Sequence, residues 1–261
     1  MGIIQKVLAI EIKNLRKSYG TKAAVDGLSL AVPQGCFYGF LGPNGAGKTT
    51  TIKMLMGVAQ PTSGEIFLLG EPIDSAQPEA GLNVRRRIGL VPDETLLFDT
   101  LTGPEYLEFI GRMYGLARPL AAERAKELID FFELSGAGRK LIAEYSKGMR
   151  KRVAMAAALI HRPQLFLMDE PFEGVDAVGA RLMKDLLLDL VKNGATIFLT
   201  SHVLEVVERL CDRIAIIHEG KLVAEGTLDE LRQGSETETL EDLFVRTVGE
   251  HNRSATDLSW L

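Results

Sequence analysis

The residues Gly42-Pro43-Asn44-Gly45-Ala46-Gly47-Lys48-Thr49-Thr50 carry the spacing G-x-x-x-x-G-K-T, and this run limits the fold more than any other in the chain. Before it stands a short apolar stretch, Cys36-Phe37-Tyr38-Gly39-Phe40-Leu41, that reads as a buried strand. After it come Ile52, Met54, Leu55 and Met56, which a helix starting near Gly47 buries. Strand, loop and helix in that order form the frame in which backbone N–H groups wrap a polyphosphate. Gly42, Gly45 and Gly47 lack the Cβ atoms that would hold the backbone away, and the amides and dipole of the helix start favour an anion. Lys48 adds a point charge for the terminal phosphates, and the Thr49 hydroxyl is placed for Mg²⁺. With glycine at roughly 7% of residues, a chance match in a chain of this length has odds on the order of one per cent. The run therefore reads as a nucleotide site, taking in Gly42, Asn44, Gly45, Ala46, Gly47, Lys48, Thr49 and Thr50, and not as a plain glycine-rich turn.

A chain of 261 residues with 46% hydrophobic content can bury a large core in one α/β domain, or one domain with a subdomain, without disulfides or metals. The two cysteines, Cys36 and Cys211, lie far apart in apolar segments and predict core positions in a reducing compartment. His161, His202, His218 and His251 show no metal-ligand spacing. A net charge of −5 argues against a general nucleic-acid surface. Met1 to Ala9 is too short for a signal peptide and runs into Glu11 and Lys13, and the longest apolar runs fall well short of the roughly 20 residues of a membrane helix. The expectation is a soluble, intracellular protein whose membrane connection, if any, comes through a partner.

Residues 7–13 and 28–32 pattern as strands with Asp26-Gly27 as a turn between them, and 64–69 and 88–91 add two more, the last stopped by Pro92. From about 94 to 161 the pattern is helical. Thr102 and Glu105 predict a capping box with Pro104 at the helix start; Pro119 opens a helix with Leu128, Phe131 and Phe132 on one face; a third runs from about Gly148 to His161. This block reads as a helical subdomain inserted into the sheet domain. Strands return at 165–168 and 196–199, separated by Val178, Leu182, Leu186 and Leu190 at helical spacing, which predicts parallel strands with ligands at their C-terminal ends. Glu219-Gly220 marks a hairpin, and Leu240, Leu243, Phe244 and Thr247 a short amphipathic helix, before a polar tail over 250–261 that holds Trp260.

The strand at 165–168 delivers Asp169 and Glu170 together at its end. Hydrolysis of a nucleoside triphosphate needs one carboxylate for the metal shell and another to orient or deprotonate water, and Asp169 and Glu170 suit those roles in that order. His202 follows the next strand on the same predicted edge and is a candidate γ-phosphate contact. In Ser146-Lys147-Gly148-Met149-Arg150-Lys151-Arg152, a good N-cap is followed by four basic residues that oppose the helix dipole, an arrangement that calls for a nearby anion.

Together these motifs resemble the nucleotide-binding subunit of an ATP-binding cassette (ABC) transporter over residues from about 7 to 249. They stand in that family's order: an aromatic, Tyr19, placed before the first strand pair; the phosphate loop; a switch after 88–92; a signature at 145–149; Asp169-Glu170; a loop with Asp176; and His202. The resemblance implies a P-loop NTPase with a mixed β core, an N-terminal antiparallel β subdomain and the inserted helical subdomain, all one ATPase domain over 1–249. It implies ATP and Mg²⁺ as ligands, with Tyr19 on adenine, Lys48 and Thr49 on phosphates and metal, Asp169 toward the metal, and Glu170 as general base with His202; Asp93, at the switch position, could face the metal directly or through water. Ser146, Lys147, Gly148 and Met149 would meet the nucleotide of a second copy or a paralogue in a sandwich dimer, with Asp176 in the coupling loop. The partner is a separate integral membrane transport subunit docked mainly on the helical subdomain, and the site of action the cytoplasmic face of the membrane. Two positions depart from the family: Tyr145-Ser146-Lys147-Gly148-Met149 replaces L-S-G-G-Q, a variant familiar among exporters with separate subunits, and Asp93 replaces the switch Gln. The second departure predicts a strong dependence of activity on Mg²⁺. A soluble ABC protein of ribosomes or DNA is the alternative, although such relatives carry two cassettes or a long coiled-coil insertion and this chain has neither. A GTPase switch ranks last, since N-K-x-D and T-K-x-D are absent.

Overall fold

The computed structural model describes residues 7–73, 81–232 and 239–249. The tail expected over 250–261, with His251 and Trp260, lies outside the described residues.

Two long strands open the chain, β1 (Leu8–Tyr19) and β2 (Lys22–Pro33), followed by β3 (Phe37–Leu41) and helix α1 (Lys48–Leu55). Then come β4 (Ser63–Leu68), the two-residue β5 (Glu71–Pro72), α2 (Leu82–Arg85) and β6 (Ile88–Val91). A helical block follows: α3 (Gly103–Met113), α4 (Arg118–Phe131) and α5 (Lys147–Leu159). The chain returns through β7 (Leu165–Asp169), α6 (Ala177–Lys192), β8 (Thr196–Ser201), α7 (Leu204–Leu210), β9 (Arg213–His218) and β10 (Lys221–Gly226). It continues through α8 (Leu228–Arg232) to α9 (Leu240–Gly249).

The strands form two sheets. One has the order β2-β1-β4-β5 with every pairing antiparallel. The other has the order β10-β9-β3-β8-β7-β6 and is parallel except for the edge hairpin β9–β10. Every residue of β3, β7 and β8 is buried, as strands covered on both faces require. Successive residues feed opposite cores. Leu165, Leu167, Tyr38 and Phe40 pack with the antiparallel sheet and α1, while Phe166, Met168, Phe37 and Ile197 pack with the helical block and α6. The helical block thus shares its core with the parallel sheet.

Several expectations shift. The strands expected at 7–13 and 28–32 are longer, and their hairpin turns at Gly20-Thr21. Asp26-Gly27 sits inside β2, where the register with β1 slips between Leu15↔Leu28 and Arg16↔Asp26, and Gly27 at φ +72° serves a bulge instead of a turn. Tyr19 accordingly ends β1, between the first two strands and not before them. On α4 the buried face is Ala121, Ala125 and Ile129, with Phe132 just beyond; Phe131 points outward, since the small alanines let this helix approach α3 closely. On α6, Val178 is exposed and the buried residues are Gly179, Met183 and Leu187, one position on from the expected stripe. The capping box at α3 is present, with Thr102 N donating to Glu105 Oε2 at 2.9 Å and Thr102 Oγ1 accepting from Glu105 N.

Candidate active site

The loop between β3 and α1 turns on its glycines, though not for the reason the sequence proposes at each position. A Cβ on Gly42 would lie 2.4 Å from Ile217 O, and one on Gly47 2.4 Å from Ala24 O, so these two let the loop seat against β9 and β2. Gly45 faces open space and is required by its φ of +82°. Gly47 enters α1 at φ +108° with no side-chain cap, and among the described residues no side chain accepts from the first-turn amides. The Lys48 ammonium curls back onto Gly42 O at 2.6 Å and Pro43 O at 3.2 Å. Burial holds its pKa below the usual lysine range, against the pull of Glu170, Asp169 and Asp93.

The parallel sheet brings β7 and β8 alongside β3 with their C-terminal ends at this loop. Asp169 is 2% exposed and accepts a hydrogen bond from the Thr200 hydroxyl of the adjacent strand. The next residue, Glu170, leaves the strand at φ +45°, an uncommon conformation for any residue but glycine. That turn aims its carboxylate along the sheet edge, where Oε1 lies 2.9 Å from His202 Nδ1 and Oε2 accepts from His202 N at 3.4 Å.

A cavity of about 590 Å³ collects these groups: Tyr19, Lys22, Ala24, Asn44, Gly45, Gly47, Lys48, Thr49, Thr50, Asp93, Asp169, Glu170, Glu173 and His202 line it. Eleven of these were expected from the sequence; Lys22, Ala24 and Glu173 were not. Tyr19 is 54% exposed at the mouth, with Lys17 Nζ 4.9 Å from its ring centroid. Gly42 and Ala46 shape the loop from behind without lining the cavity.

Ser146, Lys147, Gly148 and Met149 do not reach this cavity. Ser146 caps α5, its hydroxyl accepting from Met149 N at 3.2 Å. The four basic residues that called for an anion are met within the chain. Lys147 Nζ lies 2.7 Å from Glu173 Oε1, Arg150 Nη1 2.6 Å from Asp99 Oδ1, Lys151 Nζ bonds two carbonyls, and Arg152 Nη1 donates to Phe132 O at 3.1 Å. Gly148 lets α5 touch the loop after β7, where an added Cβ would meet Gly174 O at 2.9 Å. Asp176 caps α6 by accepting from Gly179 N at 2.9 Å, and that bond holds its carboxyl below the usual range.

Asp93 sits at the cavity rim beside Glu173; burial first, then repulsion from Asp169 and Glu173, raises its pKa against the pull of Lys151. Sequence reading could not foresee Glu173 here, because nothing local to it marks a partner eighty residues upstream. For a hard cation such as Mg²⁺ the donor set fits: a buried carboxylate at Asp169 and a hydroxyl at Thr49 share one cavity with Lys48. Among the described residues no three His, Cys, Asp or Glu side chains cluster as a protein-only metal site. Mg²⁺ characteristically takes one or two protein oxygens and completes its shell from phosphates and water.

Comparison with known proteins agrees with this geometry. The family model described as "ABC transporter" matches residues 25–173. The linearmycin resistance ATP-binding protein LnrL of Bacillus subtilis (strain 168) is 39% identical over 241 residues, covering 92% of this chain and 76% of that protein. The Nod factor export ATP-binding protein I of Burkholderia lata is 41% identical over 220 residues, covering 84% and 71%. Across such curated relatives the chain spans 66% to 76% of their length. Among solved structures, an ATP-binding subunit of an ABC transporter superposes with a TM-score of 0.84 at 31% identity, over 92% of this chain and 99% of that one. The post-hydrolysis dimer of the cassette MJ0796, bound to ADP and Pi, superposes at 0.77 with 25% identity over 84% and 98%. The chain belongs to the ABC transporter family, as one of its ATP-hydrolysing cassettes.

Proposed function

We propose that this cassette hydrolyses ATP at the β3–α1 cavity and transmits the resulting opening and closing to a separate membrane-embedded partner, driving export from the cytoplasmic face. The observation that carries the reading is the division of the site. Lys48, Asp169 and the Glu170–His202 pair share one cavity, while the capped helix start at Ser146 stands apart from it. A second cassette, identical or paralogous, would bring its own Ser146 and Gly148 to this cavity, and Asp176 would lie along the seam; the dimeric form of MJ0796 supports that arrangement. Relatives named for drug resistance and Nod factor export support the direction of transport.

Within the site Tyr19 offers its exposed ring to the adenine, and the loop amides from Asn44 to Thr50 with Lys48 hold the phosphates. Thr49 and Asp169, with Asp93 at the rim, would hold Mg²⁺, which would supply positive charge against those phosphates. Glu170, fixed by His202, accepts the proton of the attacking water, and the imidazole keeps that carboxylate aimed along the strand ends. The membrane partner docks on the helical block beside an apolar groove of about 550 Å³ lined by Ile52, Met56, Leu90, Leu96, Leu97, Tyr106 and Ile110. Among the described residues no helix is long and apolar enough to cross a membrane. The residues over 1–249 form one ATPase unit in this reading.

Glu170→Gln tests it. Turnover falls by about 100-fold or more while ATP stays bound, and size-exclusion chromatography shows an ATP-dependent dimer. A variant that remains monomeric with ATP contradicts the two-cassette site. Purification of the chain from native membranes with an integral membrane protein in equal amount supports the transport role, and recovery with ribosomes or nucleic acid contradicts it.

A further inference from the structure

Among the described residues Lys151 is the most deeply buried lysine, 2% exposed, and it lies outside the cavity that would hold ATP. It stands on α5, one turn beyond Ser146. Its ammonium donates to Pro92 O at 3.1 Å and Asp93 O at 2.9 Å, at the point where β6 gives way to the helical block. Burying an ammonium is costly unless its donors are met, and here two carbonyl dipoles meet it with the carboxylates of Asp93, Glu173 and Asp169 close by. The neighbouring Arg150 grips the far end of the same segment, with Nη1 2.6 Å from Asp99 Oδ1 and 3.1 Å from Ile142 O. A second tie runs parallel: Lys147 Nζ lies 2.7 Å from Glu173 Oε1, and Glu173 sits beside Asp93 on the cavity rim. Both acids on the cavity rim, Asp93 and Glu173, are therefore tethered to the first two turns of α5.

We propose that Lys151 is a positioning residue for ATP turnover: it pins the Pro92–Asp93 backbone to the signature helix, so that the rim acids and the helix start offered to a second cassette hold one fixed relation. The inference rests on the ATPase reading. A merely space-filling lysine would add stability but would leave the segment over 93–101 no more mobile than the rest of the chain when replaced by an isosteric apolar residue.

The test uses the full chain with Lys151→Met, Lys151→Arg and Glu173→Gln, read by amide hydrogen exchange without nucleotide and by steady-state ATP turnover. In Lys151→Met, exchange over 93–101 rises by about tenfold while α1 and the parallel strands keep wild-type protection. The kcat falls by about tenfold with KM for ATP within about twofold, the pattern of misplacement and not of lost binding. Lys151→Arg recovers both, since it can reach the same carbonyls. Glu173→Gln lowers kcat in the same direction, and its combination with Lys151→Met costs less than the two losses added. Unchanged exchange over 93–101, exchange that rises evenly across the chain, or a Lys151→Met that fails to fold while Glu173→Gln keeps wild-type kcat overturns the proposal. An inactive wild type with the segment still loosened in Lys151→Met refutes the ATPase reading and, with it, the role in turnover.

Discussion

Two helix starts in this protein have similar ingredients and opposite accounts. At α1 the entering residue is Gly47 at φ +108°, no side chain caps the amides, and the first helical residue is a buried lysine bonded only to carbonyls of its own loop. At α5 the entering residue is Ser146, its hydroxyl caps Met149 N, and the basic residues of the first turns are matched by Glu173, Asp99 and backbone carbonyls. The first start is left unsatisfied by the fold, which is what an anion-binding site requires. The second is complete in itself, so whatever it contributes to a neighbouring nucleotide comes from the surface it presents and not from unmet charge.

Replacing the lysine of the first start gives the largest effect. Lys48→Ala lowers ATP turnover by about 100-fold or more, the scale of losing one preorganised charge on developing phosphate charge. Its burial depresses the ammonium pKa, so the side chain is a cost to the fold and its removal leaves thermal stability at or above wild type. Turnover measured beside a thermal melt checks both halves. A Lys48→Ala protein that melts well below wild type would mean that the lysine is structural and that α1 and α5 do not differ as described.

Backbone demand separates the two starts next. Gly47→Ala places a Cβ 2.4 Å from Ala24 O in a left-handed conformation, which costs about 1–3 kcal/mol in strain before the clash is counted. Denaturant unfolding reads it directly. Ser146→Ala removes a cap and costs about 1 kcal/mol, the smaller of the two. Its effect on turnover should exceed what that loss of stability explains if the hydroxyl also meets a second cassette's nucleotide. Equal stability losses for the two variants would erase the distinction between an unsatisfied start and a self-satisfied one.

The same contrast separates what is legible in the sequence from what is not. The phosphate loop, Asp169-Glu170, the capping box at Thr102 and the hairpin at Glu219-Gly220 were legible because each is a local pattern whose residues act within a few positions of one another. The first hairpin was misplaced because Asp26-Gly27, a good turn signal, was used for a bulge while Gly20-Thr21 made the turn. The face of α4 was misread because alanines at Ala121 and Ala125 carry little hydrophobic signal yet allow the close packing. The basic run after Ser146 looked unpaired because its partners, Asp99 and Glu173, lie far away in sequence. Glu173 escaped for that reason too, and only the fold brings it and Lys151 to Asp93.

Asp93 gives the smallest and sharpest effect, because it belongs to both accounts: it lines the cavity of α1 and is tethered to α5. Burial and the neighbouring carboxylates raise its pKa in the folded chain. An acid whose folded pKa lies above its unfolded value loses its contribution as pH rises: the unfolded chain releases the proton first, so stability declines from the unfolded pKa upward and levels off above the folded one. Asp93→Asn removes that decline. The variant should match wild type below the unfolded carboxylate pKa of about 3.9 and exceed it slightly at neutral pH, with Lys151 limiting the gain by favouring the wild-type carboxylate. Thermal melts across that range check the sign. In parallel, Asp93→Gln should weaken the Mg²⁺ dependence of turnover if the carboxylate faces the metal, and leave it unchanged if packing beside Glu173 is its whole role. A pH profile unaltered by Asp93→Asn would place the charge of this residue outside both helix starts and leave Lys151 holding the backbone alone.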